Sequence, residues 1–425
     1  MNRRNFLAIL PPLAGLPFLR AAAMEKRSGP LTIRDVEIWQ VSGHRKPDDL
    51  KMQWQVSPAS IYQEDVPPAL PETKPTPSSP VLQQTLYLKI LTREGVEGFY
   101  GMIDPETAIV IDRQLRPLLI GQDPLAGEIL WDKMFRSNRH SRAGHFMMAI
   151  SAVDNALWDL RGRYFNMPVY RLLGGPSRDR IEAYASCLGH RLEPDEVRLV
   201  SAGFRDQGYR YQKWFFTHGP SAGAGGLMKN IELVRTLREA LGTESEILFD
   251  AFMGWDLDYA LEWAKMAEPF RPYWIEEAFH PDKLESFAEL RKKTTIPVAT
   301  GEHFYGRWEV LRFLKADAID VVQADPEWCG GTSELVKICA LASAYDARVI
   351  PHGHNIHAAL HVAAAQSPMT CPMVEYLVNF VPEKCFFEKH PLRPVGGKIT
   401  LPDRPGFGIE LDDSKIESRK RMKWE

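Results

Sequence analysis

The chain has 425 residues, 44% hydrophobic and 25% charged, with a formal net charge of -3. That length exceeds one average domain and suits a large barrel joined to a smaller domain. The charge balance argues against nucleic acid or an anionic membrane as a partner. The five cysteines stand at wide, irregular spacings without a CxxC, so they form neither a disulfide framework nor a thiolate zinc site.

Residues 1–24 begin MNRRNFLAIL, with a basic start, an apolar run and then small residues before Met24. This is the layout of an export signal. Arg3-Arg4-x-Phe6-Leu7 also resembles the twin-arginine type, which exports folded proteins. The expectation is an exported, periplasmic protein, with an uncleaved membrane anchor or a cytoplasmic protein as the alternatives. Pro11, Pro12 and Pro17 interrupt the run, which is short for a span. No other segment is a candidate to cross a membrane.

Residues 31–41 predict a strand. Residues 43–80 carry Pro67, Pro68, Pro71, Pro75, Pro77 and Pro80 with no sustained period, and predict a long loop of the kind that forms lids. Residues 82–92 alternate as a strand and end in a turn at Arg93-Glu94-Gly95. Helical spacing follows over 106–120 and 123–136, and residues 146–163 predict a strong amphipathic helix. The segment 30–150 therefore reads as an α+β domain.

From about residue 180 the pattern changes. Short apolar runs at 181–186, 211–216, 246–251, 273–278, 296–301, 318–325, 347–353 and 373–378 alternate with helical stretches such as 230–241, 258–268, 283–293, 307–315 and 333–345. Eight strands at this repeat predict a closed parallel β/α barrel over 151–385. An open doubly wound sheet is the alternative, but the Gly-rich phosphate turn of many nucleotide folds is missing. The cluster Gly223, Gly225 and Gly226 follows no tight strand–helix turn.

Asp250, Glu276, Glu302, Asp325 and His352 lie at or near the ends of successive strands, spaced 26, 26, 23 and 27 residues apart. Each interval is close to one β/α unit, so a barrel brings all five to one mouth. Three neighbouring carboxylates there repel each other and lose hydration. A hard divalent cation removes both costs, and Mg²⁺ prefers such oxygen ligands. Taken singly, each acid is better read as a helix cap or a surface ion pair. Three in phase with the barrel repeat are not.

The strand ends LFDAF, WIEEAF, TGEHF, QADPEWCGG and IPHG resemble the enolase superfamily, in its mandelate racemase subgroup. So do AISAVDNALWDLRGRYFNMPVYRLLGG (149–175) and PVGGKITLPDRPGFGIEL (394–411). WIEEAF, GEH, WCGG and PHG are most similar to acid-sugar dehydratases of the L-rhamnonate dehydratase type. The resemblance implies a modified TIM barrel of (β/α)7β type with an N-terminal α+β capping domain. It also implies that segment 386–425 returns to that domain. It assigns one Mg²⁺ per chain to Asp250, Glu276 and Glu302. Glu276 fits the spacing, and Glu277 is expected to alternate to the other side of its strand.

The same resemblance makes Asp325 and His352 an acid–base dyad. It makes Glu375 the glutamate that hydrogen-bonds the substrate, which requires a proton on it or shared with it. His303 is a candidate substrate contact, whereas His354 and His357 miss the matching position. Many relatives carry Lys-x-Lys on the second strand, the second lysine being a base. Here the run is Lys213-Trp214-Phe215, so Lys213 remains and Phe215 cannot transfer a proton. Lys213 is expected to neutralise a substrate oxygen or to act in catalysis. Loop 43–80 is expected to close over the mouth, with His44, Arg45 and Tyr62 as contacts by position alone.

The implied function is dehydration of a sugar acid to a 2-keto-3-deoxy acid. A racemase or epimerase on the same barrel and a non-catalytic sugar-acid-binding protein are the rivals. A small-molecule acid sugar is the expected partner, in a homo-oligomer of the kind the family often forms.

Overall fold

The computed structural model describes residues 29–47, 53–67 and 79–424. The export-signal pattern at 1–24 and much of the 43–80 segment lie outside them. Among the described residues, no helix is long and apolar enough to cross a membrane.

The N-terminal domain is a four-stranded antiparallel sheet packed on helices. Its strands are β1 (Ile33–Arg45), β2 (Val81–Thr92), β3 (Glu97–Ile103) and β13 (Ser418–Met422), in the order β13-β1-β2-β3. The sequence pattern does not predict β3, because Gly98 and Gly101 weaken its alternation. Gly98 is there for close packing. A Cβ at that position would come 2.3 Å from the Ala156 carbonyl oxygen of the helix beneath. The C-terminal segment returns to this domain as β13, with Ser42 opposite Ser418.

Helix Gly144–Phe165 is the hinge of the architecture. Its apolar residues, from Phe146 to Leu160, share a core with the N-terminal sheet. Its polar residues are not the solvent face that an amphipathic pattern leads one to expect. Ser151, Asp154 and Asn155 are buried against the barrel, where they bind the loop after the sixth barrel strand.

The barrel strands are β4 (Arg180–Ser186), β5 (Tyr211–Phe215), β6 (Glu246–Asp250), β7 (Trp274–Glu276), β8 (Val298–Thr300), β9 (Val321–Val322), β10 (Arg348–Val349) and β11 (Met373–Leu377). They run parallel in the order β10-β9-β8-β7-β6-β5-β4-β11. Helices fill each connection, including Pro194–Asp206 and Ile356–Ala365, which the apolar periodicity does not single out. The result is the expected (β/α)7β barrel. The seam between β10 and β11 carries no ladder, and Val349 N–H donates to the Thr370 carbonyl across it at 2.7 Å. Short β12 (Lys398–Thr400) pairs antiparallel with β4.

Two apolar shells hold the barrel. One lies between strands and helices. The other fills the interior with Tyr184, Leu248, Trp274, Ala299, Val321, Ile350 and Met373. This inner layer is the floor on which the polar site stands.

Candidate active site

The strand register builds the site in two tiers. Lys213 on β5 lies opposite Leu248, at the level of the apolar floor. Two residues further along, side-chain alternation returns to the interior, and Phe215, Asp250 and Glu276 stand side by side across β5, β6 and β7. Glu302 follows β8 after Gly301, whose φ of 123° only glycine adopts freely. Asp325 and His352 follow β9 and β10, and Glu375 lies within β11. All of these acids are buried.

Lys213 reaches up from the floor with only 1% of its surface exposed. Its Nζ lies 2.5 Å from Glu276 Oε1, 2.9 Å from Glu375 Oε1 and 3.4 Å from Asp250 Oδ2. Burial opposes the lysine charge, but Glu276 and Glu375 outweigh it and hold the pKa well above the ordinary value. Trp274 Nε1–H donates to the other Glu276 oxygen at 2.9 Å. Burial pushes the carboxyls of Asp250, Glu276 and Glu302 up, and their neighbouring acids add to the rise.

Glu375 differs from expectation. Burial alone would protonate it, but Lys213 and then His352 draw its pKa well below the usual carboxylate range. Gly353 N–H donates to its Oε2 at 2.9 Å. The neighbouring cations thus favour the carboxylate form of Glu375, whereas its expected role calls for a proton on it or shared with it.

Glu277 is the second correction. Strict alternation places it outside the cup, yet it is 1% exposed and binds His303 Nδ1 at 2.9 Å through Oε1. The strand ends at Glu276, and Glu277 has φ 44°, so alternation stops before it. Phe252 and Met253, just beyond Asp250, also have positive φ. Such strained backbone clusters where side chains must be aimed. One ligand atom each from Glu277, Glu302 and His303 lie within 4.8 Å of one another. Glu302 thus belongs both to this trio and to the expected ligand set.

The dyad is closely made. His352 Nδ1 lies 2.6 Å from Asp325 Oδ2. Asp325 also accepts the Glu327 and His354 backbone N–H groups at 2.6 and 3.2 Å. Its carboxylate is therefore fixed, and it fixes the imidazole orientation. His352 Nε2 faces the cup, 3.8 Å from Glu302 Oε2 and 3.9 Å from Glu375 Oε2. Burial opposes its charge, but Glu302, Asp325 and Glu375 lift its pKa to about 10.

Trp328, the tryptophan of the WCGG run, is not among the expected site residues, yet it lines the cup. Its ring packs on His352, His354 and His303, with centroids 5.0, 5.1 and 5.5 Å away. The loop that carries it is gripped by the N-terminal domain. Trp131 Nε1–H donates to Gly330 O, Gly330 N–H donates to Ser151, and Asn155 and Asp154 accept from Thr332 and Ser333. Tyr100 O–H donates to Glu327.

Of the expected loop contacts, His44 binds Glu417 and Arg45 pairs with Glu383. Tyr62 is 58% exposed. The described part of the loop does reach the barrel rim, since Val56 N–H donates to Phe216 O.

The donor set fits a divalent metal. Asp250, Glu276, Glu277, Glu302, Asp325 and Glu375 are all buried, and Lys213 pairs with three of them. Glu277 Oε2 has no partner among the described residues. A hard cation relieves such an excess of buried negative charge.

Residues 196–415 match the enolase C-terminal domain-like family. Residues 68–174 match the mandelate racemase / muconate lactonizing enzyme N-terminal domain. The chain belongs to the enolase superfamily. It is 34% identical over 346 residues to an L-rhamnonate dehydratase of Saccharopolyspora erythraea, covering 79% of this chain and 85% of that one. The structure of rhamnonate dehydratase from Gibberella zeae complexed with Mg matches with a TM-score of 0.77 and 27% identity, covering 91% of this chain and 96% of that one. The 3,6-anhydro-D-galactonate cycloisomerase from Zobellia galactanivorans matches with a TM-score of 0.73 and 26% identity, covering 91% and 100%. Within this superfamily the two-tier cup and its dyad have a mechanistic reading.

Proposed function

We propose that this enolase-superfamily protein is a hydro-lyase, a magnesium-dependent dehydratase of a sugar acid (an aldonate). The observation that carries the reading is His352, braced by Asp325 at 2.6 Å, with Nε2 turned toward the buried carboxylate cup. Asp250, Glu276 and Glu302 would hold one magnesium ion per chain. When bound, the metal supplies electrophilic stabilisation for negative charge building on the substrate carboxylate.

The chain's own residues then divide the work. His352 Nε2 removes the proton α to the carboxylate. Glu302 exerts the largest upward pull on His352. Neutralising Glu302 therefore brings the imidazole back toward the neutral form that accepts a proton. The β-hydroxyl leaves on the same face as water, taking its proton from the His352 imidazolium. The enol becomes a 2-keto-3-deoxy acid. Lys213 places positive charge beside the substrate carboxylate, and His303 and Glu375 orient oxygens around it.

Racemisation needs a base on the opposite face. Phe215 occupies the second-lysine position, and Lys213 is held charged by its three carboxylates. Elimination is therefore favoured. The deciding experiment incubates the protein and Mg²⁺ with a panel of acid sugars in deuterium oxide, scoring both 2-keto product and exchange. Product that fails to form in His352→Asn, with metal binding intact, supports the assignment. Normal turnover in that variant defeats it.

The N-terminal pattern supports export to the periplasm, testable by fusing residues 1–24 to a reporter. A homo-oligomer is the proposed assembly, testable by light scattering.

A further inference from the structure

We propose that Cys339 and Cys371 form a disulfide that staples the open seam of the barrel when the protein meets an oxidising compartment. The inference stands apart from the dehydratase reading, since neither cysteine touches the site.

All five cysteines are free and buried. Only one pair brings sulfur to sulfur. Cys339 Sγ and Cys371 Sγ are 3.5 Å apart. A disulfide bond is about 2.05 Å long, so closing it asks each sulfur to move by roughly 0.7 Å. Cys339 lies on helix Thr332–Ser343, between β9 and β10. Cys371 lies just before β11. The bond would therefore tie the helix preceding β10 to the segment entering β11, across the one junction of the barrel without a ladder. Its place below the strand starts is the barrel face concerned with stability rather than chemistry.

The route for exchange is also visible. Buried Cys371 follows two residues after Ser367–Met369, an exposed bend in which Met369 is 83% exposed. The bend is held by Cys371 N–H and Thr370 N–H donating to Ser367 O at 2.8 and 2.9 Å. Lifting it breaks the Val349 N–H to Thr370 O bond across the seam but no strand ladder, and uncovers Cys371. In the closed state, contact with Cys371 and then burial keep the Cys339 thiol well above its ordinary pKa, and both sulfurs are buried away from an oxidant until the bend opens. The Cys371 thiolate then attacks a small disulfide oxidant such as oxidised glutathione, expelling one glutathione thiolate and forming a mixed disulfide. Cys339 displaces the second glutathione. Two protons and two electrons leave the protein, and the oxidant becomes two thiols.

The test treats the purified full-length protein with oxidised glutathione, natively and in mild denaturant that loosens the bend. Remaining thiols are alkylated under denaturing conditions and the peptides mapped without reduction. The expected result is a peptide linking Cys339 to Cys371, with three of the five thiols still alkylated. The thermal midpoint should rise by several degrees, an increase absent in Cys371→Ser and in Cys339→Ala. Five alkylated thiols under both conditions overturn the proposal. So does linkage through Cys187, Cys329 or Cys385, or a glutathione adduct that never resolves to the internal bond. The mapping uses the wild-type chain, so it decides the question even if a variant folds poorly.

Discussion

Phe215 on β5 is the lateral partner of Asp250 on β6, so an apolar ring stands beside the expected metal ligands. On the proposed reading the site has one face for proton transfer. Substrate recovered at partial conversion in deuterium oxide should keep its configuration, and an accumulating epimer would count against elimination. Phe215→Leu should alter turnover by no more than about tenfold, because the ring excludes water and fills space rather than moving protons.

Asp325 is bonded to His352, and on the proposed reading its removal has two readable effects. Asp325→Asn should lower kcat by roughly 10²–10⁴-fold, the usual range for losing an oriented acid–base group. Part of the pull that raises the His352 pKa also disappears. The acid limb of the kcat/KM profile should therefore move to lower pH. Calorimetry should find magnesium affinity nearly unchanged. A large loss of affinity would move Asp325 into the metal set.

Lys213 is the cation within reach of Asp250, Glu276 and Glu375. Lys213→Met leaves those buried carboxylates uncompensated, which costs about 3–5 kcal/mol when no metal is present. Magnesium should recover more stability in this variant than in the parent. Thermal melts with chelator and with Mg²⁺ measure both differences. Equal melts for parent and variant in chelator would show that the acids take up protons instead.

The barrel is legible in the sequence because its strands are short apolar runs at a steady repeat, and because an acid or histidine stands at or near the end of five successive strands. The same regularity locates Asp250, Glu276, Glu302, Asp325 and His352. What escapes depends on departures from regularity. Glu277 enters the cup because its backbone leaves the strand conformation at φ 44°. The charge on Glu375 is set by Lys213 and His352, which are distant in sequence. β3 is hidden by glycines whose purpose, close approach to Ala156, appears only once the helix is in place. Ser151, Asp154 and Asn155 read as a solvent face, since no local signal marks a polar face that another domain will cover.

His361 gives a pH dependence free of the metal site. It is fully buried, its Nδ1 accepts Tyr170 N–H at 3.1 Å, and its ring meets Phe407 edge-on. Burial, then the neighbouring His357, draws its pKa down to about 3 from the ordinary 6.5. Protonation therefore favours the unfolded chain. The stability tied to the neutral ring is fully present above pH 6.5 and is lost as pH falls toward 3, at about 1.4 kcal/mol per unit. Asp154 works the other way, because burial raises its pKa to about 6 from 3.8. Its protonated form favours the folded state, a contribution that is lost as pH rises through 6. Between about pH 6 and 4 the two partly cancel. His361→Asn keeps an acceptor for Tyr170 N–H and removes the titration. Denaturant midpoints from pH 7 to pH 4 should then fall less steeply in the variant than in the parent. Parallel curves would mean that His361 already carries its proton when folded.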